Sequence, residues 1–232
     1  MKIGIIGAME VEVTTLKQRM EVSRVVTKAS MEFNEGALNG KDVVVVRSGI
    51  GKVNAAVCAQ ILVDVFNVDV IINSGIAGGI NDNVDIGDIV ISSDVLHHDM
   101  DATGFGYDLG VIPQMKCSNF VADKELVELA LAVSKEVDET VHTHVGRIVT
   151  GDQFISGVEK KTWLKENFDG YCAEMEGVAI AQVAYLNDIR FLIVRAISDK
   201  ADATACEDYP QFEKKAAEYA VALVTGMIEK LA

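Results

Sequence analysis

The chain has 232 residues, half of them apolar, with 21 Lys and Arg against 35 Asp and Glu and a formal net charge of −14 at pH 7. That acidity excludes a nucleic-acid backbone, which needs clustered cations, and disfavours anionic membrane surfaces; a neutral or cationic small molecule is the easier partner. A chain of this length and hydropathy can bury a sizeable core, here expected as one domain spanning 1–232.

The opening run Lys2–Gly7 is a short apolar stretch closed by glycine, a buried-strand pattern, and residues 10–19 then read as a helix. Glu10 and Glu12 interrupt the apolar start and no small-residue cleavage site follows, so it is a strand and not a signal peptide. Gly4 and Gly7 do not make the dinucleotide fingerprint. Glu12 falls in the first helical turn, where the helix dipole alone would favour an acid.

From residue 22 to 46 the composition is β-like, with a hairpin break at Asn39-Gly40 and a four-valine run at 43–46 typical of a fully buried strand. Ser48-Gly-Ile-Gly-Lys52 follows, without the spacing of a phosphate loop; it reads as tight-turn glycines and a surface lysine. A helix with apolar Val53, Val57 and Ile61 comes next, then a buried strand at 68–73. The small-residue turn Ser74-Gly-Ile-Ala-Gly-Gly79 lets backbone approach a ligand or a neighbouring strand closely.

A strand at 88–95 leads into His97-His98-Asp99-Met100-Asp101. Adjacent strand residues point to opposite faces, so His97 and His98 cannot share an ion, and His142 with His144 lacks an evident third ligand. No metal site is expected. Residues 102–113 form a long glycine-rich loop carrying Phe105 and Tyr107, which suit a lid or a partner surface, or else the domain's own core.

A helix at 123–136, a strand at 143–149, the turn Gly151-Asp-Gln-Phe154 and a helix at 158–167 follow. The stretch 171–202 then sets Glu174 and Glu176 against the start of a small-residue helix, and a strand at 191–194 whose end presents Arg195, Ser198 and Asp199. Such groups are a helix cap and a salt bridge, or they are a site. The last helix shows an apolar stripe of Phe212, Ala216, Tyr219, Leu223, Met227 and Leu231.

Strands and helices alternate throughout, which gives an α/β fold: three layers, α/β/α, around a central, mostly parallel but mixed twisted sheet. The glycine turns and charged residues follow strand ends and should converge on one edge of that sheet, which favours a ligand site. Cys58, Cys117, Cys172 and Cys206 are far apart and read as reduced, mostly buried thiols of a cytoplasmic protein. No apolar run approaches the roughly 18 residues of a membrane span.

The motifs Gly4-Ile-Ile-Gly-Ala-Met-Glu-Val-Glu12, Ser48–Lys52, Asp99-Met-Asp-Ala-Thr-Gly-Phe-Gly-Tyr107, Gly151-Asp-Gln-Phe-Ile155, Glu174-Met-Glu176 and Arg195-Ala-Ile-Ser-Asp199 occur in this order. Together they resemble the 5′-methylthioadenosine/S-adenosylhomocysteine nucleosidases of the purine and uridine phosphorylase superfamily, over essentially the whole chain. The resemblance implies hydrolysis of the N-glycosidic bond of 5′-thioadenosines, and also of 5′-deoxyadenosine, without metal or cofactor. It implies that Asp199, held by Ser198, protonates adenine N7, that Glu12 polarises the attacking water and that Arg195 orients the groups around it. Glu176 would bind the ribose hydroxyls and Met175 line the sugar face, while Phe154 would stack on adenine and the Ile155 backbone would read its edge. Met9, Ile50 and Tyr209 would surround the 5′-thio group. Phe105, Tyr107 and Pro113 would close that pocket from the second subunit of a homodimer.

Cleavage leaves positive charge on the sugar and negative charge on the base, so Asp199 must hold its proton at neutral pH while Glu12 stays ionised. The sequence departs from the family at Ile76, where a serine that contacts the water is usual, so Ser74 is expected to assist; Gly177 replaces a usual alanine. Two rivals remain. A phosphorylase would need cations at the strand ends, for which Arg47, Lys52 and Arg195 are the candidates, and a non-catalytic purine-nucleoside binder would need no buried acid–base pair.

Overall fold

The computed structural model describes residues 1–231. In chain order the elements are β1 (Lys2–Gly7), α1 (Glu10–Arg19), β2 (Glu21–Lys28), β3 (Met31–Leu38), β4 (Lys41–Arg47), α2 (Lys52–Phe66), β5 (Val70–Gly79) and β6 (Ile89–His97). They continue with β7 (Asn119–Val121), α3 (Lys124–Val137), β8 (Thr143–Thr150), α4 (Val158–Phe168), β9 (Cys172–Glu174), α5 (Gly177–Leu186), β10 (Arg190–Asp199) and α6 (Ala205–Lys230). A single 3-10 turn, Thr103–Phe105, interrupts the long loop after β6.

The strands join in one sheet of order β10-β6-β8-β9-β5-β1-β4-β3-β2, with β7 beside β6. Two blocks are parallel, β4-β1-β5-β10 and β6-β8-β9. The blocks meet antiparallel at β6–β10 and β5–β9, and β2, β3 and β7 are antiparallel at the rim. The fold is therefore α/β with a mixed, mostly parallel sheet, as expected. Because β10 pairs with both β5 and β6, the second block curls round and closes on the first.

Helix α2 packs on α5, and α6 packs on α1 and α3. Two helical layers thus sandwich strands such as β4, whose Val43, Val44, Val45 and Val46 are all fully buried. Each of those side chains contributes on the order of 2 kcal/mol of apolar burial. A smaller cluster under α4 joins Leu164 and Phe168 to Leu96, Val149, Ile155 and Ala173.

Several boundaries move for identifiable reasons. Beyond the expected break at Asn39-Gly40, a second hairpin turns at Ala29-Ser30, both at positive φ (48° and 62°). Ala-Ser lacks the Asn-Gly signature of such turns. Residues 74–79 are strand and not turn: they pair with β10 and, at Gly78 and Gly79, with β9, the glycines letting backbone approach closely. β10 likewise runs on through Asp199, five residues past the apolar stretch. Among the described residues no helix is long and apolar enough to cross a membrane.

Candidate active site

A cavity of about 470 Å³ opens where the C-terminal ends of β1, β4, β5 and β10 meet the loop at 150–155 and the start of α5 and α6. Its size suits a nucleoside-sized ligand. Glu12, Asp199, Ser198, Glu176, Met175, Met9, Ile50, Ile76, Phe154, Ile155 and Tyr209 all line it. The two carboxyls on which the sequence argument turned, Glu12 and Asp199, thus share one chamber.

Glu12 owes its place to the β1–α1 turn. Gly7 ends the strand where a Cβ would lie 2.7 Å from Val13 and 2.9 Å from Glu12 itself, so only glycine lets α1 start this close. In the first turn of α1 the carboxylate accepts the N–H groups of Ala8 (2.6 Å) and Met9 (2.9 Å), and across the cavity floor that of Ile76 (3.2 Å). The helix-cap reading is therefore true of Glu12 as well, and does not compete with its facing the cavity. Burial pushes its pKa up, against the pull of the Arg195 guanidinium and the three N–H donors.

Asp199 is positioned by a register shift. Between Ile197 and Asp199 the β10–β5 pairing skips Ser198. A regular strand would send neighbouring side chains to opposite faces, whereas the bulge brings them together. Ser198 Oγ donates to Asp199 Oδ2 at 2.9 Å, and the Ala201 N–H donates to Oδ1 at 2.8 Å. Burial raises the Asp199 pKa; these two donors oppose it, and the nearby Asp208 and Asp202 reinforce it. Burial raises both carboxyls. Glu12 is opposed by a guanidinium and three amides, Asp199 by one amide and one hydroxyl, with two further acids reinforcing the rise.

Glu174 and Glu176 both line the cavity, but they are held differently. Glu174 is cap and ion pair: its Oε2 accepts the N–H groups of Glu176 (3.1 Å) and Gly177 (2.7 Å) at the head of α5, Thr150 Oγ1 donates to its Oε1, and Arg195 pairs with it. Glu176 turns into the cavity and accepts the Gly51 N–H at 2.8 Å. Its pKa is pushed up to about 7 by burial and by Glu174, with Arg195 and Gly51 pulling the other way.

Arg195 does not line the cavity. It is 1% exposed behind the wall, donating to Asn73 Oδ1 at 2.5 Å and to Glu174, with Glu176 Oε2 4.0 Å away. A Cβ at Gly75 would lie 2.7 Å from Glu12 Oε1 and 3.4 Å from Arg195 Nη1, so the guanidinium and Glu12 flank the same glycine. Arg195 can orient the carboxylates but cannot itself touch a ligand. Ser74 is buried with its hydroxyl unpartnered and is not part of the lining.

The apolar wall is Met9, Ile50, Phe154 and Tyr209. Tyr209 meets Phe154 edge-on, with centroids 5.9 Å apart, and its hydroxyl donates to Met9 Sδ at 3.3 Å. Phe105, 88% exposed, and the half-buried Tyr107 and Pro113 do not reach this chain's own cavity.

Glu174 lines the cavity as well, and Ala8, Ala77, Gly78, Ala173, Gln153 and Cys206, which complete the lining, were not singled out from sequence. Gln153 lay within a recognised turn, and the small residues within close-approach stretches. Cys206, which is exposed, gave no signal.

Other sequence expectations find different partners. Lys52 is no plain surface lysine: it is bonded to Asp99. His97 bonds Gln182, His144 bonds Asp88 at 3.0 Å and His142 is exposed. His98 is buried with neither ring nitrogen bonded. Among the described residues no group of three or more His, Cys, Asp or Glu could hold a metal ion.

The pattern of the phosphorylase superfamily matches residues 2–229. A 5′-methylthioadenosine/S-adenosylhomocysteine nucleosidase of Bacillus licheniformis is 42% identical over 234 residues, covering 100% of both chains. A nucleosidase of the same name from Neisseria meningitidis, solved in complex with methylthio-immucillin-A, is 37% identical with a TM-score of 0.95 over 99% of each chain. Another, from Colwellia psychrerythraea and solved with adenine, is 38% identical with a TM-score of 0.94, over 98% of this chain and 94% of that one.

Proposed function

The chain belongs to the phosphorylase superfamily, and within it to the 5′-methylthioadenosine/S-adenosylhomocysteine nucleosidases, and from that premise we propose how its cavity cleaves a nucleoside. The protein hydrolyses the N-glycosidic bond of 5′-methylthioadenosine and S-adenosylhomocysteine, releasing adenine and a 5-thioribose.

In the proposed step, water attacks C1′ and Glu12 takes its proton. The C1′–N9 bond breaks with its electron pair going to the base, and Asp199 delivers a proton to N7. Loss of one proton by Asp199 and gain of one by Glu12 balance, and exchange with solvent resets the pair. Glu176 accepts the ribose hydroxyls, and its carboxylate, with Glu12, faces the positive charge that builds on the sugar. Phe154 covers the adenine ring and the Ile155 backbone reads its edge. Met9, Ile50 and Tyr209 surround the 5′-sulfur, an apolar wall that also suits 5′-deoxyadenosine. With Ile76 where a hydroxyl would otherwise hold the water, its orientation falls to Glu12.

The observation that carries this reading is the common chamber of Glu12 and Asp199, both buried carboxyls facing one nucleoside-sized cavity. The three cations that a phosphorylase would use are already committed: Arg195 to Glu174, Lys52 to Asp99, and Arg47 to Glu10 at 3.6 Å on the exposed side of α1. Water is therefore the nucleophile. The test is adenine release from methylthioadenosine in phosphate-free buffer. Full turnover there, unchanged by added phosphate, is expected; release that waits for phosphate, or none, would overturn it.

We place the protein in the cytoplasm as a single nucleosidase domain and homodimer, without metal or cofactor. Phe105, Val53 and Ile50 are 88%, 75% and 52% exposed. Such apolar exposure suits a partner subunit whose Phe105, Tyr107 and Pro113 close the 5′ end of the cavity. Light scattering that returns a monomer mass would refute it.

A further inference from the structure

Lys52 and Asp99 belong to sequence motifs that the chemistry above leaves unused, and they meet at the edge of the cavity. Lys52 Nζ contacts both Asp99 oxygens, at 2.7 and 2.8 Å, with side chains only 21% and 18% exposed. The same carboxylate accepts the Asp152 N–H at 3.1 Å, and Asp152 Oδ1 in turn accepts the Lys52 N–H at 2.9 Å. One residue earlier, Gly51 donates to Glu176. Gly51 sits at φ 96°, with its missing Cβ 3.1 Å from Asp152 Oδ1, so a side chain there would be strained and would crowd the joint. Partial burial works against ionisation of Asp99. The Lys52 ammonium and the Asp152 N–H more than offset that and hold its carboxyl below the usual range.

The sheet already joins the end of β6 to the turn at 150–155, through the His97–Thr150 pairing and the His98 N–H on the Thr150 carbonyl; the Lys52–Asp99–Asp152 bonds add the turn at 48–52 to that pair. Both turns supply cavity wall, Ile50 from one and Gln153, Phe154 and Ile155 from the other. Resting on the nucleosidase reading for what occupies the cavity, we propose that Asp99 is a positioning residue which, through Lys52 and the Asp152 amide, clamps the base-covering turn to the turn that holds Glu176. It touches neither substrate nor the reacting atoms. An ion pair still partly open to water contributes little to stability by itself. As a clamp it acts on binding: loosening it leaves the Phe154 wall and the Glu176 carboxylate free to move apart.

The test uses the full chain with Asp99→Asn, Lys52→Met, the double variant and Lys52→Arg. Adenine affinity is measured by calorimetry, alongside KM and kcat for methylthioadenosine and the thermal midpoint. Each single charge-removing variant is expected to weaken adenine binding by about tenfold and to raise KM similarly with kcat little changed. The double variant should be no weaker than either single, because the two residues act as one unit, and Lys52→Arg should hold near wild-type affinity. Adenine affinity within about twofold of wild type in both single variants overturns the clamp, as does simple additivity in the double. Wild-type protein that binds adenine but releases none from methylthioadenosine would instead sink the nucleosidase reading, while the affinity series would still decide the clamp. Should Asp99→Asn not fold, Lys52→Met and Lys52→Arg carry the comparison.

Discussion

Arg195 and Glu174 form an ion pair closed off from solvent behind the cavity wall, each side chain 1% exposed. Taking one partner away leaves the other charge buried without compensation, a loss of roughly 3–5 kcal/mol. Glu174→Ala and Arg195→Met should each lower the unfolding free energy from urea titration by that much, and replacing both with methionine should recover a large part. Singles as stable as wild type would mean the pair does not hold the wall.

Asp199→Asn and Glu12→Gln keep shape but remove an acid and a base. Each is expected to cut turnover of methylthioadenosine by at least ~100-fold. The folded state should survive: the asparagine at position 199 can still accept the Ala201 N–H and donate to Ser198, and the glutamine oxygen at position 12 can keep the Ala8 and Met9 N–H groups, losing that of Ile76. Near-normal turnover in either variant withdraws the role assigned to that residue.

Gly75→Ala tests the geometry without touching a titratable group. Its backbone is ordinary for a strand, so alanine is permitted there, but the new methyl would lie 2.7 Å from Glu12 Oε1. Glu12 must move, and turnover should fall toward that of Glu12→Gln while cooperative unfolding persists. Gly36→Ala is the contrast: its methyl would meet the Glu21 carbonyl oxygen at 2.1 Å, at the far rim of the sheet. That variant should lose stability and keep its turnover per folded molecule. Equal activity losses in the two would mean that Gly75 acts through the fold and not through Glu12.

Glu176, raised from an ordinary 4.5 to about 7 chiefly by burial, should leave two marks on pH dependence. Between those values the folded chain keeps a proton that the unfolded chain has released. The stabilisation is thus complete below about 4.5 and lost as pH climbs through about 7, on the order of a few kcal/mol in all. Ribose hydroxyls donate to the ionised form, so KM for methylthioadenosine should fall over the same rise through about pH 7. Glu176→Gln should flatten both curves. A KM profile in that variant that still bends near pH 7 would assign the titration to another group.

Much of this was legible in the chain itself. The apolar run closed by glycine located β1, the four-valine run located β4 and the stretch at 88–95 located β6, and the carboxylates and Arg195 stood where strand ends should converge. What escaped has a common physical cause. The extension of β10 through Arg195 and Asp199 is polar in composition, and only its pairing with β5 and β6 keeps it in the sheet. β9, only three residues long, and the Ala29-Ser30 turn carry no local signature, being imposed by their neighbours. Cys206 reaches the cavity because α6 begins just there, a fact of packing that no periodicity announces. Spacing alone did not separate Glu174 from Glu176, and only the resemblance gave Glu176 the ribose. Both line the cavity, with the Glu174 carboxylate engaged by Arg195 and the head of α5.

The closure of the sheet on itself has a consequence for what this enzyme can accept. Ser198 and Asp199 ride on a strand gripped by hydrogen bonds from two others, and Glu12 is pinned by three amides, so the proton-handling groups are anchored to the stiffest part of the molecule. The residues around the 5′ end, Ile50 and Phe154 among them, sit on turns and are half open to water. Tolerance for long or short sulfur substituents can then vary through those turns alone, leaving the alignment at C1′ and N7 undisturbed.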